Sequence, residues 1–205
     1  LWLPLLARTI PGMGIPGTPY DVLSSRMARH VGGFYALLHT SSSAPGAGRS
    51  LAAPGGVYHI RDRDWLIFRM KTLHEKLEPA LDLVLPLMRE ADFSDTRRLK
   101  DLLLEYKNDL DASVAPSGHS FAISQASRPF SRSRFVDDLW NGIPQIEFAH
   151  RLLEQDPEVV ARKLAALRDE LFAKSGMIVN VTAQGEGIEA CLSCLKSRLA
   201  PYSGP

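Results

Sequence analysis

The sequence predicts an α+β fold, a two-layer domain in which helices cover one face of an antiparallel sheet. Three observations carry this. The period-2 alternation of half-buried strands marks residues 65–72 and 177–183, and a third β-like run lies at 34–40. Between 72 and 177 the apolar positions recur instead at helical spacing. The resulting order is helix-helix, strand-strand, a run of helices, strand, helix, which masses helices against few strands.

Residues 2–13 are apolar and end near Gly12 and Gly14, giving an opening helix. Thr18 then supplies an N-cap, Pro19 a first helical position and Asp21 a capping-box acid. That helix runs through Val22, Leu23, Met27 and His30 and stops at Gly32-Gly33. The first strand follows at 34–40, and the Ser/Pro/Gly/Ala-rich stretch after it reads as a loop joining two strands. In the second strand Leu66, Phe68 and Met70 alternate with Arg69 and Lys71.

Leu77, Leu81, Val84, Leu85 and Met88 form one helical stripe, with Pro86 expected to kink it. The next helix is capped at Ser94/Asp95, points Leu99, Leu102, Leu103, Tyr106 and Leu110 inward, and breaks at Pro116-Ser117-Gly118. One helix then covers 135–155. Another has Asp156 as cap, Pro157 in first position and Gly176 as stop. Met177, Val179 and Val181 alternate with Asn180 and Thr182 in the closing strand, and a last helix carries the cysteines. Three clear strands fall below the usual four to six, which points to truncation at the N-terminus. Residues 1–200 are read as one domain and 201–205 as the start of a linker.

A chain of 205 residues buries about 70% of its unfolded surface and needs no disulfide or metal to hold a core. Apolar residues make up 45% and charged ones 23%, the profile of a soluble globular protein. The net charge of +1 gives no basis for a nucleic-acid or membrane partner. No apolar run reaches the roughly 20 residues of a membrane helix. The opening lacks the basic region and cleavage site of a signal peptide, and the cytoplasm is the favoured compartment.

Three local patterns suggest chemistry. Gly118-His119-Ser120-Phe121-Ala122 is one residue short of the G-x-S-x-G nucleophile elbow. An elbow needs a strand just before its serine, and here a helix precedes it. His119 is also badly placed as a base, because consecutive helix residues do not face each other. His74-Glu75 and Glu78 approach H-E-x-x-H but put Glu where the second His belongs. Cys191 and Cys194 form a C-x-x-C with no second pair to complete a zinc site. With Ile188, Leu192, Leu195 and Leu199 they fall on one helical face, which reads as packing.

The stretch from Arg98 to Glu154, with Ser117-Gly118-His119 and Asn141-Gly142 in it, resembles the third homologous domain of pitrilysin/insulinase-type zinc metallopeptidases, presequence-protease branch. The helix pair ending at Gly32-Gly33 and the run at 177–183 are similar to the same domain's opening helices and closing strand. The resemblance implies a metallohydrolase fold and a parent that encloses unfolded peptides in a chamber. It places zinc in the parent's first domain, on H-x-x-E-H and a distal Glu, where the metal polarises the scissile carbonyl.

Neither zinc motif occurs in this chain, so the resemblance carries over no catalytic or metal residue. It implies a non-catalytic wall whose partners are the remaining domains of the same polypeptide. Ser117, Gly118, His119, Asn141 and Gly142 would then be structural, with Ser117 capping a helix that begins at His119 and Gly118, Ala122 and Ala126 allowing close helix packing. The alternative is a catalytically silent interaction module of the same fold. Separation from neighbouring domains would expose apolar surface and a sheet edge, so self-association is expected.

Overall fold

The computed structural model describes residues 1–41, 50–53, 56–59, 63–174, 177–185 and 187–200. The expected linker at 201–205, the Gly176 stop and the middle of the loop after residue 41 lie outside them. The chain is mostly helical: α1 (Trp2–Thr9), α2 (Tyr20–His30), β1 (Gly33–Ser41), β2 (Ser50–Ala53), β3 (Gly56–His59), β4 (Arg63–Lys71), α3 (Leu77–Glu90), α4 (Thr96–Ser127), α5 (Arg132–Asn141), α6 (Ile143–Leu152), α7 (Pro157–Lys174) and α8 (Gly187–Leu199).

The core explains the helices. Leu5, Leu6 and Ile10 of the first segment are completely buried, as are Leu99, Val160 and Leu164, with Leu152 nearly so. Helix α1 is therefore packed among α4, α6 and α7. Thr9 solves its own burial by donating its hydroxyl to the Leu5 carbonyl at 2.8 Å. After α1 the chain turns tightly at Gly14, where a Cβ would lie 2.7 Å from the Thr18 carbonyl oxygen and 2.8 Å from the Tyr20 nitrogen. Only glycine fits that close backbone approach. Helix α2 starts one residue later than expected. Pro19 is its cap and its carbonyl accepts from Leu23 N–H, so Thr18 is used in the turn.

The strands at 34–40 and 65–72 form as expected, β1 antiparallel to β4 from Gly33↔Lys71 to Ser41↔Arg63. Strands β2 and β3 make a second two-stranded ladder. Phe34 stacks on Phe68 at 6.0 Å, and Phe68 on Phe172 of α7 at 6.3 Å. These rings, with Leu66, seat one face of the ribbon against the helical core.

The two-layer α+β fold class is therefore corrected to a mostly helical architecture with two-stranded ribbons. Two errors account for it. Residues 177–183 are extended but pair with no strand among the described residues, and Met177, Ile178 and Val179 are exposed. Alternation reports a segment able to be a strand, while a ladder also needs an edge within reach. The helices, for their part, bury their apolar stripes mainly against one another.

Smaller corrections follow from prolines and glycines. Helix α3 runs on through Pro86. Helix α4 begins as expected, with the Asp95 carboxylate accepting from Arg98 N–H at 3.0 Å, but continues to Ser127. Its bend is one residue, Ser117 (φ −113°, ψ 17°), beside Pro116, whose missing N–H removes a helical bond. The expected helix over 135–155 is two helices, α5 and α6, meeting at Gly142.

Candidate functional site

The segment from α4 through α5 to α6 holds all five residues singled out above, and its tightest point is a residue that no sequence pattern marks. The Asp138 side chain is fully buried (0% exposed). Its Oδ1 accepts the Ser124 hydroxyl at 3.0 Å, and Arg128 Nη1 lies 3.5 Å from Oδ2. At that separation Arg128 supplies charge without a hydrogen bond, and Oδ2 makes none. Arg128 also lies over the Phe135 ring at 4.5 Å, which fixes its planar head. A buried carboxylate that lost these partners would be strongly destabilising, so the three groups tie α4 to α5.

Gly142 completes the joint. Its N–H donates to the Asp138 carbonyl at 2.8 Å, closing α5, and its carbonyl accepts from Gln145 N–H at 3.1 Å, opening α6. A Cβ here would lie 2.5 Å from Asp138 Oδ1 and nearer still to the Asp138 carbonyl oxygen. Glycine is thus demanded by space, since the backbone is extended (φ −96°, ψ −167°) and suits any residue. Asn141 is exposed and donates to Asp137 Oδ1 at 2.8 Å.

The Ser117-Gly118-His119 group sits apart from that joint. Ser117 makes the bend and its side chain caps nothing among the described residues. A Cβ on Gly118 would meet nothing within 4 Å, and Ala122 and Ala126 are exposed, so the expected close helix packing does not occur here. No hydrogen bond or ion pair among the described residues joins residues 117–119 to Asn141 or Gly142.

The expectation that His119 and Ser120 cannot meet is also corrected: Ser120 Oγ is 3.3 Å from His119 Nε2. The imidazole is long enough to reach its neighbour. Yet both residues are exposed, no carboxylate orients His119 among the described residues, and nearby backbone N–H groups are spent within α4. A nucleophile needs an oriented base and an oxyanion site, and neither is assembled.

Two ionic clasps hold the periphery. Arg132, at the start of α5, grips Asp64 of β4 through two bonds of 2.9 and 2.6 Å, while Thr40 donates to the same carboxylate at 2.7 Å. The Arg132 guanidinium holds the Asp64 carboxyl below its ordinary value. On α8, Arg198 donates to Asp82 of α3 at 2.8 and 3.3 Å and reaches Glu78 at 3.5 Å. Asp82 in turn keeps the Arg198 guanidinium protonated beyond its ordinary range. The half-buried side of α8 runs through Cys191, Cys194, Leu195 and Arg198, whereas Ile188 and Leu192 of the expected stripe are exposed.

Over residues 1–152 of 205 the chain matches the peptidase-associated family of metallopeptidase family 16, subfamily C. It belongs to that family. Presequence protease 1 of Arabidopsis thaliana, named chloroplastic/mitochondrial, is 23% identical over 193 residues, 91% of this chain and 16% of that protein. The mitochondrial presequence protease of Saccharomyces cerevisiae is 22% identical across 97% of this chain and 20% of its own length. That of Yarrowia lipolytica is 29% identical across 49% of the chain and 11% of its own length. The chain thus spans a fifth or less of these relatives. The resemblance to the presequence-protease branch of the pitrilysin-type metallopeptidases holds, and the peptidase-associated match contains the whole α4–α5–α6 joint. The relatives' names put those proteins in mitochondria and chloroplasts. In this chain no described helix is long and apolar enough to cross a membrane.

This peptidase-associated chain does not itself fit a zinc ion. H-x-x-E-H and H-E-x-x-H are absent from all 205 residues, and among the described residues no three His, Cys, Asp or Glu side chains converge.

Proposed function

We propose that this chain is a non-catalytic structural domain of a zinc metalloendopeptidase that degrades short unfolded peptides, where it forms part of the chamber wall and supports the neighbouring domains. The match to the peptidase-associated family over residues 1–152 carries the reading. The joint supports it too, because its most constrained residues, Asp138 and Gly142, are buried and hold helices in register. Zinc and the water-activating carboxylate would come from another domain of the parent.

The test is the reading frame and the metal. Sequencing the coding region around these 205 codons should find H-x-x-E-H in the same frame upstream, and the purified product should carry zinc and cleave unfolded peptides. A complete frame without that motif would overturn the reading in favour of a catalytically silent member of the same family.

A further inference from the structure

The C-x-x-C pair on α8 has a setting that simple packing does not call for. Cys191 and Cys194 are both free thiols, half-buried on the same side of the helix and one turn apart. At this spacing helix geometry puts their Cα atoms about 5 Å apart. Disulfides form across Cα separations of roughly 4.4–6.8 Å, so the backbone is already within range. Their Cβ atoms, pointing outward, are somewhat too far apart, and closing the bond would tighten this turn of α8.

The second observation is Arg198. Its Nη1 donates to Cys194 Sγ at 3.3 Å, while Nε and Nη2 hold Asp82 and Glu78 on α3. The guanidinium therefore places positive charge on the one sulfur, and the same group clasps α8 to the body of the protein. The two thiols are unequal. Arg198 sits on Cys194, whereas burial, and next the charge of Cys194, push the Cys191 thiol up. One sulfur with a cation at hand, beside another that keeps its proton, is the division of labour of an oxidisable dithiol.

We propose that Cys191 and Cys194 are a peroxide-oxidisable dithiol whose closure weakens the Arg198 clasp between α8 and α3. Cys194, having given up its proton, attacks one oxygen of hydrogen peroxide. The O–O bond breaks, the other oxygen leaves as hydroxide, and Cys194 becomes a sulfenic acid. The Cys191 sulfur, losing its proton, then displaces the hydroxyl from Cys194 as water. The balance is two thiols and one peroxide giving one disulfide and two waters. Sulfur is oxidised, peroxide is reduced, and Arg198 loses its sulfur acceptor on α8. This inference stands independently of the chamber-wall reading, since it concerns only α8 and α3.

The 205-residue protein, reduced and then treated with equimolar hydrogen peroxide, should lose two hydrogens in mass and become resistant to thiol alkylation. Peptide mapping should place the bond between Cys191 and Cys194. With Cys191→Ser a sulfenic acid should persist on Cys194 and be trapped by dimedone, while Cys194→Ser should slow oxidation about tenfold. Arg198→Ala should slow it too, and the oxidised wild type should exchange the amides of 187–199 several-fold faster than the reduced protein. Two alkylatable thiols after peroxide, a disulfide formed only between molecules, or equal oxidation rates for the two serine variants would each overturn the proposal.

Discussion

Gly142→Ala and Gly118→Ala, made separately, put opposite signs on two glycines of the same helical segment. At Gly142 the added Cβ would sit 2.5 Å from Asp138 Oδ1 and 3.0 Å from Cγ, against an ordinary contact of 3.4–4 Å. The obstruction includes the Asp138 backbone carbonyl, which cannot rotate away. Overpacking of this kind costs about 1–3 kcal/mol. If the carboxylate shifts to relieve it, the Ser124 hydrogen bond goes as well, roughly another 1–3 kcal/mol. The sum is about 2–5 kcal/mol of destabilisation, or about 1–2 M in urea midpoint at the slopes usual for a chain of this size. At Gly118 a Cβ meets nothing, and the φ is not left-handed. Alanine there stabilises by about 0.4–1 kcal/mol by narrowing the unfolded ensemble and favouring helix. Urea unfolding of both variants with a shared slope reads the difference. A Gly142→Ala protein within about 0.5 kcal/mol of wild type would refute the packing argument at the joint, as would a strongly destabilised Gly118→Ala.

Ser124→Ala should cost about 1–3 kcal/mol, because it removes a hydrogen bond from a buried carboxylate, and chemical denaturation checks this. The Asp64 clasp predicts an acid dependence. Its folded carboxyl titrates below the ordinary 3.8, so its stabilisation is complete above that pH and fades as pH falls through the lower folded value. Arg132→Ala should flatten that acid limb in thermal melts at stepped pH, and an unchanged limb would refute the assignment. Tyr106 behaves oppositely: burial pushes its phenol up to about 12, so stability should fall as pH rises above the ordinary 10. Tyr106→Phe should reduce that alkaline loss in the same melts. His119→Ala with Ser120→Ala should leave the urea midpoint equivalent to within about 0.5 kcal/mol, as both side chains are exposed.

Local pattern makes much of the molecule readable. The β1–β4 ribbon follows from Leu66, Phe68 and Met70 facing one way, and the inward faces of α3 and α4 follow from helical spacing. Asp95, Asp156 and Pro157 mark two helix starts because caps act within a turn. What fails needs three dimensions. Residues 177–183 have the alternation of a strand, but no sequence pattern states whether an edge is within reach. Asp137-Asp138 reads as a solvated doublet, and only the crossing of α5 against α4 turns Asp138 inward beneath Ser124 and Arg128. The demand for glycine at 142 is likewise a contact with a residue four positions back, invisible to a rule based on φ. Arg198 lies four residues after Cys194, a spacing that could have flagged the pair, but its anions on α3 are more than a hundred residues away.

A domain that builds a peptidase without performing its chemistry should be inert alone. Incubating the purified 205-residue protein with zinc and a short unfolded peptide, with bound metal and product measured together, decides the matter. The expected result is no stoichiometric zinc and no cleavage above the protein-free rate. Stoichiometric zinc together with chelator-sensitive cleavage would contradict the non-catalytic assignment.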